Sequence, residues 1–147
     1  MIEGVFHVNV NVTDFERSLE FYKRLGFRVA LDLGETSGEE LAGPLRLPNA
    51  RGRAALLILG DDPRATRIDL IEWKEPRTEG TPYPRLNHAG ICRIALRTRD
   101  LDRVYADLRA SGVEFLSEPG LLPYPGGTAK FVCFRDPDGT VLELIEV

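Results

Sequence analysis

The chain has 147 residues, of which 43% are hydrophobic and 29% charged, a composition typical of a folded globular domain. Its formal net charge of −4 argues against a surface for nucleic acids or acidic membranes. Its main apolar run, ALLIL at 55–59, is far shorter than the roughly 20 residues of a membrane-spanning helix. The two cysteines, Cys92 and Cys133, lie in strand-like runs, so we expect reduced thiols and a cytoplasmic location.

The first predicted element is a strand with one polar face. In the stretch VFHVNVNV, apolar side chains alternate with His7, Asn9 and Asn11, which is the period of a half-buried strand. The next stretch, DFERSLEFYKRLG, has apolar residues at helical spacing, with Thr13 or Asp14 as its N-cap and a glycine at its end. A strand–helix pair therefore opens the chain.

The remaining predicted elements give both halves of the chain the same order. A segment with three prolines at 75–87 separates the halves, and residues 33–52 are rich in Gly, Pro, Ser and Asn. We expect a long loop over 33–52, with at most a short strand at 45–47. Further predicted elements are strands at 27–31, 53–59, 67–73, 91–98, 113–117, 129–135 and 140–147, a helix over 100–112 and a Gly- and Pro-rich loop over 118–128.

Each half therefore has the order strand–helix–strand–strand–strand, and the two halves form an internal repeat. When Asp14 is aligned with Asp100, the first strands of the halves coincide and His7 falls opposite Arg93. Histidine can bind a metal or transfer a proton at neutral pH, whereas arginine carries a permanent charge and has no lone pair to donate. This exchange marks the first strands as candidate site elements.

Four stretches carry a resemblance to a known family: FHVNVNVTDFERSLEFYKRLGFRV, IDLIEW, RIALRTRDLDRVYADLRASGVEFL and FRDPDGTVLELIEV. They resemble the vicinal oxygen chelate superfamily, which includes glyoxalase I, methylmalonyl-CoA epimerase, extradiol dioxygenases and bleomycin-binding proteins. The resemblance implies an α+β fold of two tandem βαβββ modules, whose curved mixed sheets enclose a shared cleft. The modules would cover about 1–75 and 88–147, with a linker over 76–87.

The resemblance also implies a divalent metal site, with one pair of ligands from the first strands of the modules and one from the last. Carried over to this chain, the ligand positions are His7, Glu72, Glu143 and Arg93. Two states compete. In one, the first three residues bind Mn, Fe or Zn. In the other, which the sequence favours, no cofactor is bound and Arg93 bridges the two carboxylates. His88, five residues before Arg93, lies too far along the strand to replace the missing ligand.

Strand alternation predicts which side chains face the expected cleft. His7, Asn9, Asn11 and Arg97 would contact a ligand, together with Tyr124 from the 118–128 loop. On the strand at 67–73, alternation places Leu70, Glu72 and Lys74 toward the cleft, with Ile71 and Trp73 on the opposite face.

The resemblance implies an isomerase, epimerase or lyase acting on a small oxygenated molecule. Glu143 or Glu72 would be the base, and Arg93 would donate to the oxyanion. Alternatives are a metal-free protein that binds an antibiotic or another small molecule, and a buried ion-pair cluster without chemistry. A glyoxalase I is less favoured, because Asn11 and Pro76 stand at the positions where glyoxalase I has an arginine and an amide that bind glutathione. A dioxygenase is also less favoured, because Arg93 replaces one of the histidines that bind iron in that class. We expect a homodimer with a small-molecule ligand.

Overall fold

The computed structural model describes residues 1–147 and divides into two compact units. The first unit covers residues 1–80 and the second covers residues 81–147. Each unit contains one four-stranded mixed sheet, which confirms the predicted α+β class and the strand–helix–strand–strand–strand repeat. No helix combines the length and the apolar character that crossing a bilayer requires.

In the first unit the sheet order is β1-β4-β3-β2, with β1 parallel to β4 and the other neighbours antiparallel. The strand β4 is therefore central, and it carries its neighbours β1 and β3 on either side. The elements are β1 (His7–Asn11), α1 (Phe15–Arg24), β2 (Arg28–Ser37), α2 (Glu39–Leu45), β3 (Arg51–Ile58) and β4 (Arg67–Glu75).

The helix α1 forms where the sequence predicts it. The Asp14 side chain accepts a hydrogen bond from the backbone N–H of Arg17 at 3.0 Å, which satisfies one of the free donors of the first turn. The apolar stripe, which includes Phe15, Leu19 and Tyr22, is buried. Val8 and Val10 alternate with the polar residues of β1, so the apolar face of this strand is available to pack under the helix.

The predicted loop over 33–52 is wrong in detail. The strand β2 continues to Ser37 and the helix α2 follows, with Pro44 inside it and Arg46 in a left-handed conformation at its end. Ala42 of α2 packs into a buried cluster that includes Trp73. Packing against the sheet thus stabilises a short helix whose glycine and proline content favours a loop.

In the second unit the sheet order is β5-β8-β7-β6, with β5 parallel to β8. The predicted strand at 113–117 is reduced to a single bridge between Phe115 and Phe134. A strand forms instead at 120–124, inside the predicted loop, where it pairs in antiparallel register with residues 127–131. Pro123 is compatible with this strand because the strand is an exposed edge. The elements are β5 (Ile94–Arg97), α3 (Leu101–Ala110), β6 (Gly120–Tyr124), β7 (Gly127–Arg135) and β8 (Val141–Glu146).

Candidate functional site

The polar face of the first sheet is fixed by the register between β1 and β4. Asn9 pairs with Asp69 and Asn11 pairs with Ile71, and side chains paired in this way point to the same face of a sheet. We call this surface the His7 face; it carries His7, Asn9, Asn11, Asp69, Ile71 and Trp73. The predicted alternation of β4 is therefore wrong by one residue. The reason is that a central strand is apolar on both faces, so its pattern does not distinguish them.

His7 and Asp69 form a pair on this face. The His7 Nε2 lies 3.7 Å from the Asp69 Oδ2, and the Asn9 amide donates to the Asp69 backbone carbonyl at 3.2 Å. Asp69 is only 9% exposed, and its Oδ1 is buried without a hydrogen-bond partner. Burial raises the pKa of Asp69, although the charge on His7 and hydrogen bonding by Asn9 oppose the rise. Asp69 therefore holds a proton more readily than an exposed aspartate.

Glu72, a predicted metal ligand and base, lies on the opposite face of β4 from His7. Its Oε2 accepts the backbone N–H of Phe15 at 2.8 Å, and its Oε1 accepts from the Lys74 ammonium at 2.6 Å. Glu146 does the same in the second unit, where its carboxylate accepts the Leu101 N–H at 2.6 Å. Both carboxylates thus satisfy and stabilise a helix N-terminus, and the structure does not bring Glu72 to His7.

Asp69 is the site residue that the sequence reasoning missed. A signal for it was present, because aligning IDLIEW on LELIEV places Asp69 opposite Glu143 and Glu72 opposite Glu146. The His7–Asp69 pair of the first unit is therefore equivalent to the Arg93–Glu143 pair of the second.

In the second unit, Arg93 and Glu143 form a close ion pair. The Arg93 Nε donates to the Glu143 Oε2 at 2.5 Å. The Glu143 side chain is 7% exposed, whereas that of Arg93 is 47% exposed, so the guanidinium reaches solvent and the carboxylate does not. This hydrogen bond and the charge of Glu143 raise the pKa of Arg93 above its ordinary value. Arg93 therefore stays charged at every working pH.

Cys133 lies beside the Glu143 carboxylate. It pairs with Glu143 across β7 and β8, and its Sγ lies 3.9 Å from the Glu143 Oε2. Burial, together with the negative charge of Glu143, raises the pKa of the Cys133 thiol. A thiol held in its protonated form is a poor nucleophile, so Cys133 is not a candidate nucleophile beside this carboxylate.

The other predicted ligand-binding residues of the second unit lie on its edges. Arg97 ends β5 and is exposed, and Tyr124 ends β6 with 42% of its surface exposed. His88 lies outside the sheet, where its ring stacks on Tyr83 at 4.6 Å between centroids, and its carbonyl accepts from the Cys92 thiol. His88 thus has a local packing role, as its distance along the chain predicts.

The donor set does not fit the four-ligand metal site that the resemblance implies. The first unit offers one imidazole and one carboxylate, in His7 and Asp69. In the second unit the guanidinium of Arg93 has no lone pair for a metal, and it forms an ion pair with the Glu143 carboxylate. Nowhere do three or more histidine, cysteine, aspartate or glutamate side chains form a group that could hold a metal ion.

The raised pKa of Asp69 makes a prediction about stability. Between the ordinary value of 3.8 and its higher folded pKa, the folded chain holds more protons, so Asp69 reduces stability as the pH rises through this window. We expect Asp69→Asn to become more stable, relative to the natural chain, from about pH 3 to neutral pH, as measured by urea unfolding.

Asp32→Asn is the matched control for this prediction. Arg53 lowers the pKa of Asp32 by donating a hydrogen bond to it, so the relative stability of this variant should fall as the pH rises toward 3.8 and should stay level above that pH. Parallel trends for the two variants would contradict the assignment.

Several curated proteins are similar to this chain over most of its length. A probable lactoylglutathione lyase of Vibrio cholerae is 27% identical over 97% of this chain and 89% of its own length. The metallothiol transferase FosB of Shouchella clausii is 26% identical, over 98% and 80%. The lactoylglutathione lyase GLX1 of Arabidopsis thaliana is 26% identical over 95% of this chain, which spans only 43% of that protein.

Solved structures and a family model extend the comparison. A glyoxalase family protein from Bacillus cereus has a TM-score of 0.85 at 18% identity, over 99% of this chain and 95% of that one. One from Enterococcus faecalis has a TM-score of 0.68 at 23% identity, over 98% of both chains. A family model matches residues 4–144. The chain therefore belongs to the Glyoxalase/Bleomycin resistance protein/Dioxygenase superfamily.

Proposed function

We propose that the chain is an enzyme of the isomerase, epimerase or lyase type, acting on a small oxygenated organic molecule, with Arg93 in place of a metal-ligating histidine. One observation carries the proposal: a half-exposed guanidinium bonded to a buried carboxylate, Glu143, at 2.5 Å. A charged donor that reaches solvent beside a fixed carboxylate supplies an oxyanion donor and a base, the two groups that assist proton transfer next to a carbonyl.

The roles of the two residues follow from their charges. Arg93 is always charged, so it can donate to an oxyanion as negative charge develops on the substrate oxygen. Glu143 would take the proton from the neighbouring carbon. The positive charge of Arg93 stabilises the carboxylate form and weakens it as a base, so substrate must draw the guanidinium away from Glu143 before the proton moves.

The ligand-binding residues of the proposal are His7, Asn9 and Asn11 in the first unit, and Arg97 and Tyr124 in the second unit. In the first unit, Asp69 beside His7 is a second candidate base, because burial raises its pKa. It takes the place that the sequence prediction gave to Glu72. A small-molecule ligand and assembly as a homodimer belong to the same proposal.

A metal-free binding protein is the second candidate function. The closed Arg93–Glu143 pair favours it, because both charges are satisfied without a substrate or an ion. Glutathione chemistry has less support, although curated relatives are named lactoylglutathione lyases. Asn11 stands where glyoxalase I has arginine. Glyoxalase I also has an amide side chain four residues after the glutamate of its first module. When Asp69 instead of Glu72 is taken as the equivalent of that glutamate, the amide position is Trp73, which has no amide group.

The test is solvent deuterium exchange into a panel of small hydroxyketones, keto acids and hydroxy acids, followed by proton NMR. We expect chelator-treated protein to catalyse exchange into at least one compound, at a rate that added Mn or Zn does not change. Exchange that appears only with metal would overturn the role of Arg93. Thermal stabilisation by a compound without exchange would establish the binding protein instead.

A further inference from the structure

Trp73 lies on the His7 face in a fixed position. It is 9% exposed and packs in a buried cluster with Ala42, Ala54 and Ile71. Its one polar atom, the indole Nε1, donates to the Oδ1 of Asn11 at 3.0 Å. The apolar contacts fix the position of the indole ring. Because the ring is fixed, its hydrogen bond to Asn11 fixes the orientation of the Asn11 side chain.

The polarity of these partners determines how the two asparagines of β1 are oriented. An indole N–H can only donate, so Asn11 must turn its carbonyl oxygen to Trp73 and its NH₂ group away. Asn9 has the reverse orientation, because its NH₂ group donates to a backbone carbonyl, that of Asp69, which can only accept. The NH₂ group of the exposed Asn11 therefore remains available to donate hydrogen bonds to a ligand. In Asn9 it is the side-chain carbonyl oxygen that remains available, and it can accept a hydrogen bond.

The charges on this face favour an uncharged partner for these amides. Asp69 is buried on the same face as Asn11, and its carboxylate repels an anion when it is ionised. The cationic groups on the same face already have partners: His7 lies 3.7 Å from the Asp69 carboxylate, Arg67 donates to the Pro63 carbonyl at 2.7 Å and stacks on Phe6, and Arg51 lies 3.9 Å from the Glu35 carboxylate. A carboxylate ligand would have to compete with these partners for a charged contact on this face.

We propose that Trp73 is a positioning residue that fixes Asn11 as a hydrogen-bond donor, so that the His7 face binds a neutral ligand group. That group carries a carbonyl or hydroxyl oxygen for Asn11 and an O–H or N–H for Asn9. The inference rests on the ligand-binding role of β1 in the proposed function and narrows its substrate class to neutral hydroxycarbonyl or amide compounds.

The first measurement is the NMR signal of the indole N–H, which is a single peak because the chain has one tryptophan. In the free protein we expect Asn11→Ala to move this peak upfield, since the hydrogen bond is lost. Asn87 lies in the second unit, so Asn87→Ala is the control and should leave the peak in place. An unmoved peak in Asn11→Ala would overturn the positioning role. This readout needs neither substrate nor turnover, so it stands apart from the proposed function.

The second measurement compares lactamide with lactate, which have similar size and differ in charge. We expect lactamide to shift the Asn11 amide signals and lactate to have less effect. Trp73→Phe, which keeps an aromatic side chain and removes the indole N–H, should weaken lactamide binding about threefold to tenfold. It should cause no further loss in the Asn11→Ala background. Equal or stronger binding of lactate, no response to either compound, or additive losses would each overturn the inference.

Discussion

Glu143→Gln is expected to lower the rate of deuterium exchange about a hundredfold to ten-thousandfold, the range that one general base contributes. Glutamine has the shape of glutamate and keeps an oxygen that accepts from the Arg93 Nε, so the local structure is retained. It cannot take up a proton at neutral pH. The measurement is the exchange rate of the natural chain and of the variant on the same compound, at saturating concentration.

Glu146→Gln is the matched control, because Glu146 lies on the same strand. Its carboxylate accepts the Leu101 N–H, so this variant should lose some stability of α3 and little exchange activity. Full activity in Glu143→Gln would assign the base elsewhere. Asp69→Asn would then be the next variant to measure, since Asp69 is the equivalent residue of the first unit.

Arg93→Ala is expected to lower the free energy of unfolding by about 1–3 kcal/mol. The substitution leaves the buried Glu143 carboxylate without its charged donor. The loss should stay below that of a fully buried pair, because the Arg93 side chain is 47% exposed and water partly replaces it. The measurement is urea unfolding followed by far-ultraviolet circular dichroism.

Two further variants separate the structural from the chemical value of this pair. Arg109→Ala removes an ion pair whose two side chains are both exposed, and it should cost less than about 1 kcal/mol. Arg93→Met combined with Glu143→Leu replaces the pair by apolar groups and should recover the natural stability or exceed it. That recovery would mean that folding does not require the pair. An Arg93→Ala cost equal to that of Arg109→Ala would contradict the burial argument.

The architecture was predictable because period-two and helical patterns are strong in this chain. The caps Asp14 and Asp100 each accept from the backbone N–H three residues on, as N-cap residues do. The helix α2 was not predictable, since its stability comes from Ala42 packing on residues distant in the sequence. Local composition cannot report such tertiary contacts.

The candidate site was predictable only in part. Arg93 and Glu143 were identified from the sequence, and the structure joins them in one ion pair. Asp69 was missed because β4 is central and apolar on both faces, so the face of each residue depends on its register with β1. Glu72 attracted attention as a carboxylate at the end of a strand, but its partner, the N-terminus of α1, becomes visible only in three dimensions.

The location of Trp73 affects how the folding of this chain can be followed. Because the single tryptophan belongs to the unit over residues 1–80, its emission during denaturation reports that unit directly. The unit over residues 81–147 contains no tryptophan, so its melting would pass unnoticed if it were independent. Agreement between fluorescence and circular dichroism curves would show that the two units unfold as one cooperative system, and separate midpoints would show that they do not.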